Sequence, residues 1–150
     1  MTEKIDPMTM ALAEARLAGE RGEVPVGAVL VKDRAVIAAA GNRTRERNDP
    51  TAHAEILVIR EACEKLATER LIGCDLYVTL EPCTMCAAAI SFARLRRLYY
   101  GTQDLKGGGV DNGARFFTQP TCHHVPEVYS GFRASEAEGL LKSFFQARRL

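Results

Sequence analysis

The chain has 150 residues, 47% hydrophobic and 26% charged, which suits one domain with its own core and leaves no apolar run near the ~20 residues needed to span a bilayer. A net charge of +1 excludes a protein that grips nucleic acid with its whole surface, so any RNA contact must use locally concentrated positive charge. The start, MTEKIDPMTM, lacks the basic-then-apolar pattern of a signal peptide, so the cytoplasm is the expected compartment. Five cysteines, two of them in a C-x-x-C, then point to metal binding or catalysis over a disulfide framework.

Asp6-Pro7 reads as a helix start. Asp6 can cap, Pro7 fits the first turn, and Ile5 with Met10 forms a hydrophobic staple. Met8, Leu12, Ala15 and Gly19 then recur at helical spacing up to a stop near Gly22. Residues 24–31 and 35–40 are apolar and rich in β-branched side chains, and Lys32-Asp33-Arg34 between them predicts a β-hairpin with Pro25 near its start. Residues 42–49 read as a polar loop. Helical spacing returns over 52–67, with Thr51 as the cap and Ile56, Ile59, Cys63 and Leu66 as the apolar stripe.

Residues 76–80 form a strand, 83–93 a helix of small residues, and 98–101 another strand. The alternation of strand and helix implies parallel pairing through crossovers. The glycine-rich stretch 106–113 has no assignment, and 114–133 reads as loop with one short strand. Residues 135–149 close the chain as a helix whose apolar side is Leu140, Leu141, Phe144 and Phe145. The expected architecture is α/β, one mixed sheet with helices on both faces.

Chemistry concentrates in His53-Ala54-Glu55 and, thirty positions on, Pro82-Cys83-Thr84-Met85-Cys86. Zinc takes nitrogen and sulfur ligands in tetrahedral sites, and a catalytic site uses three protein ligands with one position left for water. Cys83 and Cys86, three apart at a helix start, place both sulfurs on one side. The positive end of that helix favours thiolates. His53 supplies the third ligand. Glu55, two residues from His53, is placed to hydrogen-bond the metal's water and act as acid and base, worth ~10²–10⁴ in rate. The plainer reading is a structural zinc site with a fourth ligand from Cys63 or Cys74. Against it, Cys63 falls on an apolar helix stripe and Cys74 merely precedes a strand. A redox role for the cysteine pair leaves His53 and Glu55 unexplained.

H-x-E followed by P-C-x-x-C resembles the signature of zinc nucleobase and nucleoside deaminases, a pattern general to that chemistry. The surrounding sequence resembles more narrowly the bacterial tRNA adenosine deaminases. The likeness runs through residues 23–28, Gly41-Asn42, residues 49–55 and 76–86, Tyr100-Gly101, Asp104, and Phe144-Phe145 to Arg148-Arg149. It implies a cytidine-deaminase-like three-layer α/β/α sandwich with a mixed sheet of about five strands, one zinc per subunit, and a homodimer. The implied reaction is adenosine to inosine at the wobble position of an arginine tRNA anticodon: zinc-activated hydroxide attacks C6 and Glu55 shuttles the protons. By the same resemblance Asn42 bonds the flipped nucleoside, while Asp104, Lys106, Phe145 and Arg149 contact the anticodon stem-loop. Without it, Asn42 is a turn asparagine, and Asp104 and Lys106 are solvated charges.

The arginine clusters 43/45/47, 94/96/97 and 148/149 could track phosphates, although each alone reads as a solvated face. After Asp104 the chain departs from the family, running through Gly107-Gly108-Gly109 to Cys122-His123-His124, a trio too crowded to converge on a second ion. Two rivals remain: a deaminase of free guanine, cytosine or cytidine with the same metal site, and a zinc-stabilised RNA-binding domain without activity. The second has no use for Glu55.

Overall fold

The computed structural model describes residues 6–148. The chain enters α1 (Pro7–Glu20) through Asp6, whose side chain accepts the Met8 N–H at 3.3 Å, the capping expected of Asp before Pro. Ile5, the other half of the expected staple, lies outside the described residues, as does Arg149. Two strands follow, β1 (Gly27–Lys32) and β2 (Ala35–Gly41), paired antiparallel through a tight turn in which Asp33 and Arg34 both have positive φ. That is the turn geometry whose twist suits a two-residue hairpin. The first strand starts three residues later than expected. Pro25 offers no N–H to a ladder, and Val26 N–H turns back to the Val24 carbonyl at 2.8 Å. Pairing begins at Gly27, where α1 presses so close that a Cβ would stand 1.9 Å from the Ala11 carbonyl oxygen.

Next come α2 (Ala54–Leu66), β3 (Cys74–Leu80), α3 (Thr84–Phe92) and β4 (Arg97–Thr102). A 3₁₀ turn at Phe116–Thr118, β5 (Glu127–Tyr129) and α4 (Ala134–Ala147) complete the fold. The five strands form one mixed sheet in the order β2-β1-β3-β4-β5. The expectation of parallel pairing holds for β3 with β4 and for β4 with β5, whereas β1 lies antiparallel between β2 and β3.

Strand alternation decides what each face buries. Ala28, Leu30, Leu76, Val78, Leu98 and Tyr100 point to α2 and α3, meeting Val58, Ala62, Ala87 and Ile90 in the main core. Val29 points the other way, to Met8, Ala11 and Leu12 of α1 and Ala137 of α4. The result is three layers, as the resemblance implied. Each fully buried Leu or Ile in them contributes about 1.5–3 kcal/mol.

The topology also gathers loops. β2 and β3 are both antiparallel to β1 and so run the same way, and β4 runs with β3. Their C-terminal ends therefore emerge at one edge, where residues 42–53, 81–83 and 103–113 are brought together.

Candidate active site

At that edge α2 and α3 each begin with a residue that carries chemistry. His53 is the N-cap of α2, one position before its first turn, and Cys83 is the N-cap of α3, with Cys86 in that helix's first turn. His53 makes no side-chain bond to its helix, and the Cys83 sulfur turns to Cys86 and His53. Thr51 is not the cap expected of it. Its N–H and hydroxyl both close onto Asp49 Oδ1, at 2.8 and 2.7 Å. Asn42 does the capping instead, with Oδ1 accepting the Ala54 N–H at 2.8 Å.

His53 Nδ1 stands 3.6 Å from the Cys83 sulfur and 3.5 Å from the Cys86 sulfur. A tetrahedral ion held at about 2.3 Å by sulfur and about 2.0 Å by nitrogen sets a nitrogen–sulfur separation of about 3.5 Å. The donor set therefore fits zinc in chemistry and in spacing. The three ligand atoms lie within 4.8 Å of one another, and among the described residues no fourth His, Cys, Asp or Glu joins them. Cys74 is at the far end of β3 and Cys63 is half-buried in α2. Cys122 and His124 turn instead to α3 and its end, through Ser91 and the Leu95 carbonyl.

The three groups hold their protons unevenly. Cys83 is pulled down to about 4 by its hydrogen bond with Cys86, against the desolvation of its half-buried position, and His53 assists. Cys86 is pushed up by that same bond and by burial. The Cys83 bond also raises His53.

Glu55 follows in the first turn of α2, buried at 4% exposure. Burial pushes its carboxyl up to about 7, with its own backbone N–H and nearby His53 pulling down, and its side chain reaches Cys86. A carboxyl that ionises near neutrality beside a metal-ligand cluster can take and return a proton at working pH.

A model of the MafB19-like deaminase family matches residues 2–149. The tRNA-specific adenosine deaminase of Agrobacterium fabrum is 69% identical over 150 residues, covering 100% of this chain and 99% of its own. The chain belongs to the tRNA-specific adenosine deaminases. A structure solved in a study of A-to-I editing by tRNA:A34 deaminases at the wobble position of transfer RNA is 72% identical, with a TM-score of 0.89, over 90% of this chain and 98% of that one. A guanine deaminase from Bacillus subtilis is more distant: 32% identical, TM-score 0.66, over 95% of this chain and 91% of that one.

In this deaminase the expected substrate residues fall in two places. Asn42 is beside the cluster, its carbonyl held by an Arg21 guanidinium N–H at 3.0 Å. Asp104, Lys106 and Phe145 line a separate groove of about 930 Å³ between the loop after β4 and the C-terminal half of α4, joined by Leu80, Lys142 and Arg148. None of His53, Glu55, Cys83 and Cys86 is among the groove's lining residues. Phe145 is exposed at 46%, and Phe144 is half-buried under the Arg148 guanidinium, 3.9 Å from its ring.

The basic clusters are mostly occupied with other residues. Arg96 and Arg97 pair with Asp75 and Glu127 where β4 begins, at the opposite edge from the cluster, and Arg43 pairs with Glu46. Sequence reading passed over two buried carboxylates. Glu23 accepts the Arg45 and Glu46 N–H groups at 3.1 and 2.9 Å and the Thr44 hydroxyl at 3.3 Å. Glu81 does the same for the loop after β4. The available signal was the placement of each acid beside an apolar run, Glu23 before Val24-Pro25-Val26 and Glu81 after the β3 strand.

Proposed function

We propose that this deaminase hydrolyses adenosine to inosine at the wobble position of an arginine tRNA anticodon, with His53, Cys83 and Cys86 holding one zinc per subunit. The observation that carries the chemistry is a buried carboxyl, Glu55, against three ligand atoms at tetrahedral spacing. Bound there, zinc supplies the Lewis acidity that brings water to ionisation near neutrality. Glu55 takes a proton from the attacking water and passes it to N1 of the adenine ring. It then moves the second proton from the added hydroxyl to the 6-amino group, which leaves as ammonia. Asn42 Oδ1 is committed to the α2 cap, so its amide N–H₂ is the group left to donate to the nucleoside. The groove holding Asp104, Lys106 and Phe145 receives the anticodon loop, and Arg149, outside the described residues, belongs to the same proposal.

The relatives' names favour the RNA substrate over a free base, because the guanine deaminase likeness is far weaker than the tRNA deaminase one. A tRNA substrate assigns the enzyme to the cytoplasm; among the described residues no helix is long and apolar enough to cross a membrane. The homodimer belongs to the same proposal, and Phe92, exposed at 71% on α3, is a large apolar side chain that a second copy would cover. The deciding assay offers an anticodon stem-loop with a wobble adenosine beside free guanine, cytosine, cytidine and adenosine. Inosine in the RNA supports the reading; turnover of a free base with unchanged RNA overturns it.

A further inference from the structure

Residues 103–113 carry three of the groove's polar side chains, Gln103, Asp104 and Lys106, yet contain no helix or strand. A loop without a ladder needs other partners for its backbone groups. Here one side chain supplies them. Glu81, 2% exposed, follows β3 and immediately precedes Pro82-Cys83. Its Oε2 accepts three successive N–H groups, from Val110 at 3.1 Å, Asp111 at 2.9 Å and Asn112 at 3.0 Å. Its Oε1 accepts the Asp104 N–H at 3.0 Å and the Asn112 side-chain amide at 2.6 Å. Five donors saturate a carboxylate, and three consecutive amides on one oxygen form an anion-holding concavity. Among the described residues no Lys or Arg pairs with it; backbone dipoles compensate the buried charge.

The clamp leaves no slack. Gly109 N–H bonds the Pro82 carbonyl at 2.8 Å, so the loop also rests on the turn that presents Cys83. A Cβ on Gly108 would stand 2.5 Å from the Glu81 carboxyl carbon. The constraint passes outward: Asp104, fixed by its own N–H, accepts the Lys106 and Gly107 amides on Oδ1 at 3.1 and 2.9 Å. The backbone that places Asp104 and Lys106 on the groove is therefore set from Glu81.

We propose that Glu81 is a positioning residue for RNA. Its carboxylate ties the groove-lining loop to the Cys83 turn, so that the anticodon loop and the reacting base are held in one register. The inference rests on the tRNA reading above. It explains how a segment so rich in glycine can present a defined surface: the glycines let the backbone close on the carboxylate, and the carboxylate removes the freedom they bring.

The test uses the full-length enzyme with Glu81→Gln, Gly108→Ala and Asn112→Ala. Each should raise KM for a wobble-adenosine stem-loop about tenfold or more, least in Asn112→Ala, with kcat within about threefold and zinc content unchanged. Amide exchange at Val110, Asp111 and Asn112 should accelerate by about a hundredfold in Glu81→Gln. Folded, zinc-loaded variants with wild-type KM would overturn the proposal, as would a fall in kcat and zinc content with KM unmoved. Should Glu81→Gln not fold, the milder two variants report the same quantities. A wild-type enzyme inactive on RNA would sink the substrate reading, while the exchange data would still report whether Glu81 holds the loop.

Discussion

Asn42 Oδ1 accepts the Ala54 N–H at 2.8 Å, so a residue at the end of β2 fixes the first turn of the helix that presents His53 and Glu55. The N–H₂ of the same amide is the group proposed above to meet the nucleoside, so the two duties are separable by mutation. Replacing Asn42 by alanine removes both, and should cost about 1 kcal/mol of stability as a lost cap. Losing the partner that orients the first turn should lower kcat/KM by roughly ten- to a hundredfold. Asn42→Asp keeps the accepting oxygen and discards the donor, so its melting temperature should stay near wild type while activity on the stem-loop falls. Thermal unfolding and kinetics on the two variants separate the duties. Wild-type activity in Asn42→Asp would remove the residue from substrate recognition.

Glu55→Gln should retain zinc and fold normally yet lose about 10²–10⁴ in kcat, the ordinary contribution of a positioned acid–base group. Glutamine keeps the shape of a side chain buried at 4% and cannot carry the proton. Metal content by elemental analysis and inosine formation read the two halves. A variant that binds zinc and deaminates at the wild-type rate would remove Glu55 from the mechanism. Chelation of the wild type should abolish activity, and added zinc should restore it.

Much of this was legible in the chain itself. A cluster able to hold a metal leaves a spacing rule, so His53, Cys83 and Cys86 announce themselves, with Glu55 two residues from the histidine. Apolar side chains at helical spacing likewise give α1, α2 and α4 to within a few residues, and a run of small residues gives α3. Long-range accommodation was not legible. Nothing in Thr51 says that Asn42, twelve positions before Ala54, will take the cap from it, because that depends on β2 ending beside α2. Pro25 sits in an apolar run, but pairing waits until Gly27 because the Val26 N–H turns back to the Val24 carbonyl. Glu23 and Glu81 read as ordinary acids, since a carboxylate's role as an anchor lies in amides supplied by distant loops. The stretch 106–113 carried no periodic pattern because its order comes from one side chain outside it.

Glu23 gives a pH dependence with a definite sign. Burial pushes its carboxyl up, but the Glu46 and Arg45 amides, the Thr44 hydroxyl and Arg21 outweigh that and hold it below the usual glutamate range. A group whose folded pKa is depressed stabilises fully above its unfolded value, about 4.3, and loses that contribution as pH falls through the folded value. Wild type should therefore exceed Glu23→Gln in melting temperature at pH 7, and the gap should close on titration below about pH 4. Equal melting temperatures at pH 7, or a gap that widens with acid, would contradict the anchor on residues 44–46.

Phe144 and Phe145 are adjacent and meet edge to face at 5.3 Å, yet the fold gives them opposite tasks. Phe144 is half-buried and carries the Arg148 guanidinium, which also donates to the Gly22 carbonyl at 3.2 Å and so ties the end of α4 to the loop after α1. Its replacement by alanine should lower stability, by up to the ~3–5 kcal/mol of a large core truncation. Phe145 faces the groove at 46% exposure, with little packing to lose. Phe145→Ala should change stability by less than about 0.5 kcal/mol. Stacking on a base is worth ~1–3 kcal/mol, so the same variant should raise KM for the stem-loop by about five- to 150-fold. Denaturant unfolding and steady-state kinetics on the two single variants give four numbers. An unchanged KM in Phe145→Ala would take α4 out of RNA binding, and a large stability loss there would return Phe145 to the core.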